Sequence, residues 1–536
     1  MNIDRESEGP ADDITADEQA TRKQWLSWLS RLEGDGDLDA LRRLQIEGLD
    51  VWPIIKATII MGELNRNQRT RFVARAPIKA VDVPSATDSS SSPDLHFDCD
   101  VLFLANVAPA IEIDGILLNP HLDPLRNALG KKGIRTLTAY YDSVPENRVC
   151  AFPSISLSDK VRRAKIDSRS KGELSKLQER LSTSLGGDGG IDDKTQKSIL
   201  KQIENTLKLR VHYQQVFKSN AALKCLFVTN YYSAHGWGAV SAAKSLGIPT
   251  VDIQHGLQGR YHHAYSWPEL KNESMSCVPD HFLCWTKHDH ENLDGYPLTR
   301  GRSKIIGPGH FQLEKLVEAY GSAQEPASTG FARYSQLSDE LLHFAEQTRS
   351  KGKKIAGIFL QYKEDEKWLE LLRNSVPSNT ELWVRRHPGV RRLDPNPAEM
   401  DGIHFVDRFP LTSVLNSVDV VVTGYSSVGI EAFHLGHPVV AYSPLSKEFL
   451  EPYCTSTGFR LSSGHPSGIA SAISGELLTR TTAVSSIPDI NSVAESIQQL
   501  IEKSHRRNKY ITHATRYLRK ARVAGELFKS AYRRFL

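Results

Sequence analysis

Two serines that follow an apolar strand are the first residues in this chain whose placement could do chemistry. The run from Asp419 to Thr423 is valine-rich, Gly424 permits a tight turn, and Ser426 and Ser427 fall where a helix should begin. The free N–H groups and positive end of a helix favour an anion, and serine hydroxyls there can donate to phosphate oxygens. Serine is also an ordinary helix cap, so the pair alone leaves both uses open. Glu431 stands four residues after Ser427, one helical turn on, where it either touches a bound ligand or faces solvent. Upstream, Glu381 to Pro388 is a second strand running into a loop. Arg385 and Arg386 bring positive charge toward a diphosphate, His387 emerges at the same sheet edge, and Pro388 holds the backbone turn. Strand residues alternate in facing, so only some of these side chains can reach one site.

An earlier segment repeats the logic. Thr250 to Ile253 forms a short strand that ends in Gln254, His255 and Gly256. An imidazole titrates near neutrality, so His255 at a strand end suits a general acid or base, or a phosphate contact. Gln254, Gly256 and the following loop, with Arg260 and the aromatic and imidazole groups up to Tyr265, suit a polyhydroxylated substrate. Metal readings are weaker. Asp98 and Asp100 form an Asp-x-Asp pair, but they precede a strand, where a metal–diphosphate site should follow one. His288 and His290 lack a spaced third ligand. There is no Walker loop and no Gly-x-Gly-x-x-Gly fingerprint, which argues against a P-loop kinase or a dinucleotide oxidoreductase. We therefore expect no metal and no cofactor.

The elements that must position these residues alternate along the chain. With 536 residues, 40% of them hydrophobic and 24% charged, the chain should bury at least one large core rather than form a coiled coil or a disordered tract. Sixty-seven basic against 63 acidic residues is too even a balance to indicate nucleic acid as a partner. The six cysteines are scattered, several in apolar runs, as expected of reduced thiols in the cytoplasm. Residues 1–81 read as a helical appendage and 82–96 as a serine-rich linker. A first Rossmann-like domain spans 97–325 and carries a charged helical insertion at 156–217, expected as two largely solvated helices. A second Rossmann-like domain spans 326–504. Its strands read 355–360, 381–385, 403–406, 419–423 and 438–442, with helices between them, the pattern of a doubly wound parallel sheet. Ligands in such folds sit at the carboxyl ends of the strands, and two such sheets imply a cleft. Residues 505–536 set ten basic side chains against Glu526 alone, with aromatic residues between them, which reads as a basic amphipathic helix for an anionic inner-membrane surface or for packing across the domain junction. The amino-terminal stretch has no secretory pattern, so a cytoplasmic location is expected.

Taken together, the Arg386-His387-Pro388 element and the Gly424 to Ser427 element resemble the paired nucleotide-binding motifs of GT-B glycosyltransferases that use CMP-sugars, the sialyl and Kdo transferases of bacterial capsule and lipopolysaccharide. They are equally similar to CDP-glycerol glycerophosphotransferases, where a His-Gly element like His255-Gly256 also occurs. The resemblance covers roughly residues 220 to 445. It implies a GT-B-like α/β fold, with two doubly wound sheets facing a cleft and helices at both ends of the chain. It further implies a CMP- or CDP-linked sugar donor held by Arg386, His387, Pro388, Gly424, Ser426, Ser427 and Glu431, and a glycan or glycolipid acceptor facing the first domain. Families with a clear acidic base place it in the first domain, and Asp114 is the preferred candidate there, with His255 beside it. Polyol-phosphate transfer, sugar-nucleotide 2-epimerisation and a non-catalytic scaffold are the rivals.

Overall fold

The computed structural model describes residues 23–24, 26–28, 30, 39–72, 97–106, 110–113, 116–141, 149–157, 165–185, 191–260, 262–267, 270, 274–320, 326–360, 366–387, 400–442, 446, 449–450, 453, 458–462, 464–474 and 489–503. Asp114, Pro388, the whole linker 82–96 and the basic segment 505–536 lie outside them.

The chain folds as two α/β lobes with the GT-B-like arrangement of two parallel, doubly wound sheets. The first lobe has seven parallel strands in the order β12-β11-β10-β9-β3-β6-β8. They comprise β3 (Val101–Ala105), β6 (Thr136–Tyr140), β8 (Ser154–Ser156), β9 (Cys225–Val228), β10 (Thr250–Ile253), β11 (His281–Cys284) and β12 (Ser303–Ile305). Strands β3, β9 and β10 are buried at every position, as strands covered by helices on both faces must be. The second lobe has six parallel strands in the order β15-β14-β13-β16-β17-β18. These are β13 (Lys354–Phe359), β14 (Thr380–Arg385), β15 (Ile403–Phe405), β16 (Val420–Thr423), β17 (Val439–Ala441) and β18 (Phe459–Leu461). In each sheet the sequence order reverses at one place, between β3 and β9 in the first and between β13 and β16 in the second. These reversals open a crevice at the carboxyl ends of the strands.

Three features depart from the sequence reading. The charged insertion is solvated on one face only. Its helices α3 (Ser168–Leu185) and α4 (Asp193–Ser219) bury Leu177, Leu181, Ile199, Ile203 and Tyr213 in the main core of the first lobe. Helix α4 runs close to α5 (Ala234–Ser245), where a Cβ on Gly238 would come within 2.9 Å of Leu209 Cβ. The charges occupy the outer face, so overall polarity hid an apolar stripe. Second, the segment 111–118 is a β-hairpin, β4 (Ile111–Ile113) against β5 (Ile116–Leu118), with β7 (Val149–Cys150) alongside. Ile113 and Leu118 are buried in the apolar cluster of the second lobe, so this first-lobe hairpin spans the junction. Two such buried aliphatic side chains contribute about 3–6 kcal/mol of gross apolar burial. Third, a helix over residues 490–503 returns from the second lobe and buries Val493, Ala494, Ile497 and Ile501 against Phe103, Leu125 and Leu129. The boundary read at 504 therefore does not coincide with the packing. The amino-terminal helix α1 (Trp52–Phe72) likewise joins the first-lobe core through Trp52, Ile54, Ile55 and Ile59.

Candidate functional site

The turn after β16 lies at the switch point of the second sheet. Gly424 follows Thr423 there, and its carbonyl accepts from Ser446 Oγ at 2.5 Å. The short helix Val428–His434 starts at Ser427. The two serines differ in use. Ser426 Oγ accepts from the Val428 amide at 3.3 Å, whereas Ser427 has helical backbone angles and no side-chain capping bond. One hydroxyl therefore caps and the other does not. Glu431 does not face solvent: it is 4% exposed, and burial pushes its carboxyl up to about 8 against the pull of nearby Arg385. At neutral pH it is a protonated acid that can donate a hydrogen bond.

At the end of β14 the two arginines part, as strand alternation requires. Arg385 Nη1 donates to the carbonyls of Phe409 (2.5 Å) and Val406 (3.3 Å), on the side of Glu431. Arg386 turns away into a buried pair, with Nε donating to Asp407 Oδ2 at 2.6 Å and its amide donating to Oδ1 at 2.8 Å. Its ring partner is Phe405, at 5.4 Å. The positive charge expected from Arg386 is thus neutralised within the protein, and Arg385 is the arginine beside the serine-bearing helix. His387 is half-buried directly after the strand.

In the first lobe β10 delivers Gln254, His255 and Gly256 to the crevice. Gln254 is fully buried and its amide is saturated: Nε2 donates to Gly256 O (2.9 Å) and Asp289 Oδ2 (3.1 Å), while Oε1 accepts from the Trp285 amide (2.6 Å). Gln254 therefore braces the turn, because its polar atoms are already used. His255 Nε2 shares a hydrogen bond with Tyr232 Oη at 3.2 Å, and the two rings stack at 6.0 Å. Burial lowers the His255 imidazole to about 4, opposed by the Ile253 carbonyl, so it is neutral at physiological pH. Burial also raises the Tyr232 phenol, which stays protonated. Gly256 is half-buried and Arg260 is exposed.

Tyr232 had no signal in the sequence. It lies after β9, at the switch point of the first sheet, in a turn closed by Ser233 Oγ accepting from the Gly236 amide at 3.0 Å. A Cβ on Gly236 would fall 2.3 Å from Asn230 O, so only glycine lets this helix start so close to the strand. His262 packs edge-on to Tyr232 at 5.0 Å and stacks on His263 at 4.7 Å. His121 stacks on Trp285 at 5.8 Å and meets His310 edge-on at 6.0 Å. Its pKa falls well below normal, first through burial and then through His310 and His255. A row of imidazole and phenol rings thus lines this edge of the first lobe, with His121 and His255 held neutral by burial.

The weaker metal motifs are engaged elsewhere. Asp98 and Asp100 both pair with Arg135, and Asp100 also with Lys224. His290 bonds Ser303 Oγ at 2.7 Å.

Residues next to the His255 and serine motifs share one apolar cluster. Leu257, two residues after His255, and Tyr425 and Val428, on either side of Ser426 and Ser427, all pack against one apolar cluster in the second lobe. A Cβ on Gly259 would lie 3.6 Å from Phe449 of that cluster.

Comparison with known proteins adds the following. Residues 361–444 match the family model described as capsule polysaccharide biosynthesis protein, a segment that holds Arg386, His387, Gly424, Ser426, Ser427 and Glu431. No curated protein matches significantly. Among solved structures the chain is similar to UDP-GlcNAc 2-epimerase from Methanocaldococcus jannaschii, at 11% identity and a TM-score of 0.42, over 75% of this chain and 99% of that one. It is also similar to UDP-GlcNAc 2-epimerase from Neisseria meningitidis bound to UDP-GlcNAc, at 13% identity and a TM-score of 0.42, over 75% and 99%. A third is the wall teichoic acid polymerase TagF, at 11% identity and a TM-score of 0.40, over 75% and 88%. These likenesses are too remote to assign an activity.

Proposed function

We propose that this protein is a glycosyltransferase of surface-polysaccharide synthesis that takes a sugar from a cytidine nucleotide and transfers it to a glycan or glycolipid acceptor. The observation that supports this most is that Leu257, two residues after His255, and Tyr425 and Val428, flanking the two serines, pack against the same apolar cluster of the second lobe. The family match over the second motif points to capsule polysaccharide as the product class.

In this reading the donor phosphates lie against the uncapped Ser427 hydroxyl and protonated Glu431, with Arg385 behind them and the His387-Pro388 loop near the nucleotide. Neutral His255, oriented by Tyr232, accepts the proton of the acceptor hydroxyl. The acceptor oxygen bonds to the anomeric carbon as the carbon–oxygen bond to phosphate breaks, and the leaving phosphate keeps the electron pair. Donors already aimed at that phosphate stabilise its developing charge without reorganising. Asp114, which follows Ile113 in the sequence, is the alternative carboxylate base. Among the described residues no helix is long and apolar enough to cross a membrane. Residues 505–536 are the segment proposed to reach an anionic membrane surface.

The test is incubation with CMP-sugars or with CDP-glycerol and an acceptor glycan, reading product mass. A sugar increment supports glycosyl transfer, whereas a glycerol-phosphate increment replaces it with attack at phosphorus. Unchanged turnover in both His255→Ala and the Ser426→Ala/Ser427→Ala double variant would sink the site.

A further inference from the structure

A chain of buried hydrogen bonds crosses from one lobe to the other and ends beside His255. Tyr453, in the second lobe, donates from its hydroxyl to Thr286 Oγ1 at 2.8 Å, 167 residues away. Thr286 has one hydroxyl proton and gives it to Asp289 Oδ2 at 2.8 Å, while its oxygen also accepts from the Asp289 amide at 3.1 Å. Asp289 Oδ2 accepts in addition from Gln254 Nε2 at 3.1 Å, and the other proton of that amide closes the turn onto Gly256 O. Each link has one allowed direction. Flipping the Gln254 amide would set its oxygen against a carboxylate and a carbonyl, and would leave the Trp285 amide facing an NH2 group. The series therefore runs Tyr453 to Thr286 to Asp289, with Gln254 joining from the far side. All four side chains are buried.

Both ends are anchored. The Tyr453 ring packs edge-on to Phe433 (5.7 Å), in the helix that starts at Ser427, and to His288 (5.1 Å) in the first lobe. Gln254 brackets His255 by bonding across it to Gly256. Removing the Thr286 hydroxyl leaves the buried Tyr453 phenol without its acceptor and the Asp289 amide without its cap, whereas removing the Tyr453 hydroxyl deletes only the cross-lobe link. That asymmetry makes the network sensitive to the lobe geometry it was built for.

We propose that Asp289 and Thr286 are positioning residues, and that their relay to Tyr453 holds the Gln254-His255-Gly256 turn in place only when the second lobe is docked. The relay makes the His255 end of the first lobe responsive to the helix that carries Ser427 and Glu431. The importance of His255 rests on the function proposed above, whereas the relay is read directly from the hydrogen bonds.

Hydrogen exchange of the full chain tests the relay without donor or acceptor. Tyr453→Phe keeps the ring and its packing and deletes one hydroxyl. It should speed exchange of the amides in 253–258 roughly 3- to 10-fold, the effect of one buried hydrogen bond on local opening. Thr286→Val should do the same, and Thr286→Ser, which restores the hydroxyl, should return exchange to the wild-type rate. Ser338→Ala, which cuts a hydrogen bond confined to the second lobe (Ser338 to Ser413, 2.6 Å), should leave 253–258 unchanged. Unchanged exchange at 253–258 in Tyr453→Phe, or equal exchange in Thr286→Val and Thr286→Ser, would overturn the proposal. If Tyr453→Phe fails to fold, the Thr286 pair decides. A protein that shows these exchange changes but transfers no sugar would count against the proposed function and leave the relay standing.

Discussion

Glu431 offers the most exacting check on the site, because its protonation follows from burial alone. Its carboxyl is displaced from 4.5 to about 8 chiefly by desolvation, with Arg385 pulling the other way. Between those values the folded protein keeps a proton that the unfolded chain releases, so folded-state stability falls as pH rises through that window. At about 1.4 kcal/mol for each pH unit, the span from 4.5 to 7 amounts to about 3 kcal/mol and the span to 8 to about 5 kcal/mol. Glu431→Gln preserves the shape and hydrogen-bonding reach but cannot ionise. Scanning calorimetry of both proteins at pH 5, 6, 7 and 8 isolates the effect. Asp252 and Glu314, each pushed to about 7 by burial, and Asp289, pushed to about 6, contribute equally to both curves. The variant should unfold close to wild type at pH 5 and progressively above it as pH rises. At 2–4 °C per kcal/mol for a lobe of this size, the gap reaches roughly 10–20 °C by pH 8. A constant offset across the pH range, or a variant less stable than wild type at pH 8, would refute the reasoning.

Four further outcomes follow from the same geometry. Ser427→Ala should leave the unfolding temperature nearly unchanged, since no cap is lost, but should abolish most of the thermal stabilisation given by CMP or CDP. Ser426→Ala should cost about 0.5–1 kcal/mol through the Val428 amide bond, read as a lower unfolding temperature without nucleotide. With His255 lowered to about 4 and Glu431 raised to about 8, turnover should show an acid limb near 4, a plateau from pH 5 to about 7 and a fall toward pH 8 as Glu431 loses its proton; an acid limb near 6.5 would contradict the lowered imidazole. Arg386→Ala should destabilise the second lobe by about 2 kcal/mol in urea unfolding, because Asp407 would lose the charged bond from the guanidinium while keeping that from the residue 386 amide.

The sequence by itself determined the lobes and where their edges are. Runs such as Val420–Thr423 and Thr250–Ile253 are β-branched and apolar enough to require strands covered on both faces, and the turn residues after them mark the carboxyl edge of each sheet. Alternation along a strand already implied that Arg385 and Arg386 would part. Which of the two would be neutralised was beyond reach, because Asp407 lies 21 residues away and aspartate is common. The insertion misled for a related reason: helices α3 and α4 carry charge on one face and core residues on the other, and overall polarity averages the two. Only tertiary structure decided that Glu431 is protonated, that Ser426 caps while Ser427 does not, and that Tyr232 stands beside His255. Those properties depend on desolvation and on directional bonds between residues far apart in the chain, and Tyr453 and Thr286 meet 167 residues apart with no local pattern to announce them. Periodicity reports which face is buried, whereas chemistry at the lobe junction depends on what that burial places within 3 Å.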